Sequence, residues 1–299
     1  MRCRPFVVSL LLLAGSLLAQ PPAGATSPKS LRLHVIGASV SAGFRDGLMF
    51  GAKEAGDSVT MQQLCKAWCG EHARASTHGT LEMMQMFTGP EAIGARQIEG
   101  AKKQKPDFVI AIDFPFWFAY GHVKGEEGPA RLALLDKGLA LLGQLEMPVV
   151  IGDLPDFTGA APRMLRPAQI PTPAVLAALN EKLAKWVAAH ANVKQVKLAD
   201  FVKTMKDTGA ALPLAGGAVP TAPGALLQGD HLHANRLGMA FLGLQLQETL
   251  RALFPEGHAL KAQQWTFEQF VAGCGAEAEL EAALAAAKAG KQDDGAKKK

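Results

Sequence analysis

Cysteine is scarce, with 4 in 299 residues, and Cys3 stands ahead of an N-terminal apolar run, which leaves Cys65, Cys69 and Cys274 in the body of the chain. Three cysteines are too few for a disulfide framework. Cys65 and Cys69 would share one face of an expected helix, Val59 to Cys69, where bridge geometry is poor, so they read as buried small residues. No further Cys or His recurs beside them at ligand spacing, so neither a metal nor another cofactor is expected. Charge is sparse as well: the formal net charge is +4, of which Arg2 and Arg4 carry two, and no basic run interrupts the interior. That argues against a nucleic-acid partner. The N-terminal apolar run, Phe6 to Leu18, is about 13 residues, short of the roughly 20 a membrane-spanning helix needs. Behind two arginines and ahead of Ala23-Gly24-Ala25, it reads as a signal peptide over residues 1–25, with an uncleaved anchor as the alternative. The expectation is export to the periplasm or beyond, with no stable membrane span after cleavage.

Between the ends, about 235 residues suit one α/β domain. Strand-like and helix-like stretches alternate, which predicts a mostly parallel sheet flanked by helices. Expected strands are Leu31 to Ile36, a short one around Ala73 to Ala75, Asp107 to Ile112, Val149 to Gly152 and Val193 to Leu198. Expected helices run over Glu91 to Lys103, Pro129 to Leu145, Ala174 to His190 and from Arg236, with Pro106 stopping the first. Ser76 to Thr80 reads as a loop, and residues 209–229, rich in Ala, Gly and Pro, as irregular chain. The domain is expected over residues 31–252, a C-terminal helical extension over 253–289, and a disordered basic tail over 290–299.

Two short segments at opposite ends of that pattern carry reactive side chains. Gly37-Ala38-Ser39-Val40-Ser41 follows the first strand, so Ser39 falls on the turn at the strand's carboxyl end, where open parallel sheets bind ligands. Asp230-His231-Leu232-His233-Ala234-Asn235 precedes the last helix. A serine hydroxyl attacks well only when an imidazole takes its proton, and the imidazole works best when a carboxylate fixes its tautomer. Asp230 and His233 are spaced to form that pair. A metal held by His231, His233 and Asp230 is disfavoured, because no third ligand cluster is visible.

These blocks resemble those of the SGNH, or GDSL-type, hydrolase superfamily, with Gly37-Ala38-Ser39-Val40-Ser41 at the place of Gly-Asp-Ser-x-Ser and Asp230-x-x-His233 at the place of its last block. The likeness spans roughly residues 31–252. It implies a flavodoxin-like three-layer α/β/α sandwich, Ser39 as nucleophile, His233 as base and Asp230 as its orienting partner. Two departures stand out. Ala38 replaces the family's Asp, and the Gly-x-Asn-Asp block is replaced by Asp113-Phe114-Pro115-Phe116-Trp117-Phe118, so an oxyanion-donating asparagine is missing, a loss of about 10²–10³ in turnover where it has been removed elsewhere. The remaining oxyanion candidates are the N–H groups of Ser39 and Gly79, with the Trp117 indole as a substitute or, alternatively, a packed wall. Asp113, Phe116 and Trp117 are the expected pocket residues. Asp113 would oppose an oxyanion unless protonated or paired. The resemblance implies an exported serine hydrolase cleaving a small-molecule, glycan or lipid ester through an acyl-enzyme; the alternative is a non-catalytic envelope or ligand-binding protein of the same fold.

Overall fold

The computed structural model describes residues 30–46, 58–80 and 83–296. The expected signal peptide and the terminal lysines lie outside them. Five strands, β1 (Leu31–Val35), β2 (Ala73–Thr77), β3 (Phe108–Ala111), β4 (Val149–Gly152) and β5 (Val193–Val196), form one sheet in the order β2-β1-β3-β4-β5. Every pairing is parallel, with Leu33 opposite Phe108 and Val109 opposite Val149. Burial explains which segments take the centre: all four residues of β3 and all four of β4 are buried, as expected of strands covered on both faces.

Helices cover the two faces. On one side α3 (Pro90–Gln104), α4 (Glu127–Leu142) and α5 (Pro173–Ala188) pack in sequence; on the other α1 (Met61–Cys69) lies on β1 and β2 and meets α7 (Arg236–Arg251). The result is a three-layer α/β/α sandwich. Local chemistry sets the helix starts. Thr60 and Gln63 form a capping box at α1, and proline occupies the first turn of α3 and of α5, where its missing N–H costs nothing. Short helices α2 (Met83–Met86) and α6 (Leu198–Lys203) complete this part, and a π turn, Thr204–Thr208, continues α6.

The expected irregular stretch 209–229 contains an antiparallel hairpin, β6 (Ala211–Leu214) and β7 (Gly217–Pro220), closed by the two residues Ala215 and Gly216. Ser76 and Thr77 belong to β2 rather than to a loop, because β1 pairs with them through His34 and Val35. After α7 come α8 (Ala259–Ala262), α9 (Phe267–Cys274) and α10 (Glu277–Ala296). Phe267 and Phe270 of α9 are buried against α7 and α1, so this extension completes the core on that face. The last helix runs past Gly290, where the sequence predicts a disordered tail; one glycine costs about 1 kcal/mol in a helix and the alanines around it favour continuation. Cys65, Cys69 and Cys274 are buried free thiols. Burial pushes Cys69 and Cys274 up to about 12, so they stay protonated and unreactive. Among the described residues no helix is long and apolar enough to cross a membrane.

Candidate active site

Order β2-β1-β3-β4-β5 places a topological switch point between β1 and β3, and the turn after β1 begins there. Gly37 has a φ of 126°, and a Cβ on it would lie 1.9 Å from Asp113 Oδ1, so only glycine fits. Asp113, just past β3, fills that space. Its carboxylate accepts from the N–H groups of Ala38, Val40 and Ser41 at 3.0–3.3 Å and from the Ser41 hydroxyl at 2.7 Å. Burial pushes this carboxyl up, and those donors, Ser41 Oγ foremost, pull against the rise. The expectation that Asp113 would oppose an oxyanion therefore meets a carboxylate paired with four donors.

Asp113 takes the N–H groups on either side of Ser39 and leaves that of Ser39 itself without an acceptor among the described residues. The turn is tied from its other side by Gln97 of α3. Its Oε1 accepts from Gly37 N–H at 2.8 Å, and its Nε2 donates to the carbonyls of Gly37 at 2.7 Å and Gly79 at 3.1 Å. Sequence reasoning missed Gln97. The available signal was a polar residue on the buried stripe of α3, among Ile93, Ile98 and Ala101.

The second segment is organised by its own aspartate. Asp230 is fully buried, and its Oδ1 accepts from the N–H groups of Leu232 at 2.9 Å and His233 at 3.0 Å, folding the segment back on itself. This brings His233 Nδ1 to 2.7 Å from Asp230 Oδ2. Burial alone would raise the Asp230 carboxyl; the ring, charge and backbone N–H of His233 outweigh it and hold the group below its ordinary range. An ionised carboxylate only accepts, so Nδ1 carries a proton, and in the neutral ring Nε2 presents its lone pair. That Nε2 is buried and has no hydrogen-bond partner among the described residues. Phe44 stacks on the ring with centroids 4.3 Å apart, fixing its plane. Asn235 then caps α7 through Gly238 N–H, and glycine at 238 lets the helix approach Leu226, whose carbonyl would lie 2.2 Å from an added Cβ.

Ser39 and His233 border one cavity of about 60 Å³ at the carboxyl edge of the sheet. Its other polar members are Asp113 and Asp153; the remaining lining is apolar and includes Phe116. Asp153 accepts from Ala199 N–H at 2.7 Å, and burial pushes its carboxyl up. The structure thus brings Ser39, Asp113, Phe116 and His233 together, with Asp230 directly behind the histidine.

Gly79 and Trp117 are not among the described residues that border that cavity. Gly79 sits beyond β2 with its carbonyl on Gln97, the side chain that also holds Gly37. Trp117 lies on a 3₁₀ turn, Pro115–Phe118, and packs edge-on against Phe87 at 4.6 Å and Phe116 at 5.1 Å. Its indole N–H is buried without a partner among the described residues, but it is Phe116 that borders the cavity. His231, with a φ of 54°, is turned out of the cavity lining.

No family model matches the chain. No curated protein matches it either. Among solved structures it is similar to BT4096, a gut microbial diltiazem-metabolizing enzyme, at 11% identity and a TM-score of 0.41. The similarity covers 74% of this chain but 46% of that one, so this chain spans about half that enzyme's length. The chemistry of the site rests on the geometry above.

Proposed function

We propose that the protein is an exported serine hydrolase of the SGNH type, acting on an ester through an acyl-enzyme. One observation carries the reading: His233 is held at Nδ1 by a buried carboxylate while its buried Nε2, without a partner among the described residues, belongs to a residue bordering the same cavity as Ser39. A lone pair kept dry and unpartnered costs free energy unless something protic meets it, and a serine hydroxyl or a water serves that need.

In this reading Ser39 Oγ attacks the ester carbonyl as its proton passes to His233 Nε2. The imidazolium is steadied by Asp230, and the oxyanion accepts from the N–H of Ser39. His233 then protonates the leaving alcohol, water takes the alcohol's place, and the same nitrogen takes the water's proton and passes it to Ser39 Oγ as the acid is released. Asp113 shapes the donor by drawing the neighbouring N–H groups to itself. Without the side-chain amide, turnover is expected to be slow, and with a p-nitrophenyl ester, whose leaving group departs readily, acyl-enzyme is expected to accumulate.

Replacing His233 with Ala removes the base. The expected result is loss of the burst of alcohol released from a p-nitrophenyl ester, by about 10⁴ or more, with the circular dichroism of the folded protein retained. A burst equal to that of the parent protein sinks the assignment.

A further inference from the structure

We propose that the cavity beside Ser39 is an acyl pocket that selects aliphatic acids of about four to six carbons. This rests on the esterase reading above and adds the part of the substrate that the site recognises. Three observations carry it. The wall away from Ser39 is built by Leu198, Phe201 and Val202 of α6, Met205 of the π turn that follows, and Leu242 of α7, all apolar and all buried. Among the described residues no Lys or Arg borders the cavity, so they offer no cation to a phosphate or carboxylate on the acid. Its volume, about 60 Å³, holds roughly four to six water-sized sites at 10–15 Å³ each, and a methylene fills about one.

The chemistry fixes which half of the ester belongs there. After the first step the alcohol leaves and water must reach the carbonyl beside His233, so the alcohol side has to stay wet. The acyl group remains bonded to Ser39 through both steps and is the half that a dry apolar pocket can hold throughout. Met205 closes this pocket from a π turn, a widened backbone form that recurs at functional sites.

The test is a chain-length series on the full purified protein: p-nitrophenyl acetate, butanoate, hexanoate and decanoate, with labelling rates by alkyl fluorophosphonates of matching lengths as a parallel reading. We expect kcat/KM and labelling rate to rise about fourfold per methylene, ~0.8 kcal/mol each, up to hexanoate, and to fall at least tenfold at decanoate. Met205→Ala should move the fall to longer chains and Val202→Phe to shorter ones. A Ser39 adduct with a flat profile, or with acetate preferred, overturns the pocket assignment alone. Absence of both turnover and adduct across the whole series overturns the esterase reading and the pocket with it.

Discussion

His34 and His233 are both buried with one ring nitrogen lacking a partner among the described residues, and their surroundings give that shared feature different consequences. His233 meets a carboxylate at Nδ1 and a cavity on its border; His34, inside β1, meets only the Ser76 hydroxyl, 2.8 Å from its Nδ1. Burial first, and then the neighbouring His78, pull His34 down to about 4. The unfolded chain takes up this proton near pH 6.5, so between that value and about 4 unfolding binds a proton and stability falls as the pH is lowered. Replacing His34 with Asn keeps a hydrogen-bonding side chain that cannot titrate. We expect the stability difference between pH 7 and pH 4.5, measured by urea unfolding, to shrink by on the order of 2–3 kcal/mol. An unchanged difference would show that His34 is not what makes the fold acid-sensitive. The sequence already marks Asp230-x-x-His233 as a pair, since that inference needs only local pattern. The N–H groups that Asp113 collects depend on how β3 passes β1, and no local pattern carries that.

Helix α3 acts on the serine turn through one side chain. Gln97 is buried, and its amide satisfies the N–H and carbonyl of Gly37 together with the carbonyl of Gly79. Replacing Gln97 with Ala leaves these groups enclosed and unpaired, so we expect a loss of about 2–3 kcal/mol in unfolding free energy. A loss below about 0.5 kcal/mol would mean that the turn holds its shape without α3. The principal strands and helices were legible because their apolar residues repeat at helical spacing or run unbroken through four buried positions. The β6–β7 hairpin was not: Pro213 and Pro220 weaken the strand signal, and only the two-residue turn at Ala215-Gly216 marks it. Trp117 takes the packed-wall alternative, with its ring edge-on to Phe87 and Phe116. Four aromatics in five residues announce packing, but which of them faces the cavity follows from the 3₁₀ turn, and it is Phe116.

At the scale of the whole molecule, the strand order brings together two segments from opposite ends of the domain. The first ends β1 at the switch point, and the second is carried back to the same sheet edge by the chain before α7. That convergence was legible as an alternating pattern with a motif at each end. The shape of the cavity was not, because Phe157, Met205 and Leu242 come from three segments whose meeting is a product of packing. The account stands on Ser39 being a nucleophile activated by His233. It is tested most directly by mass spectrometry of the purified protein after exposure to a fluorophosphonate, with Ser39→Ala treated alongside. The account predicts one adduct, on Ser39, absent from the variant. A folded protein that takes up no adduct, or takes it up equally in the variant, contradicts it.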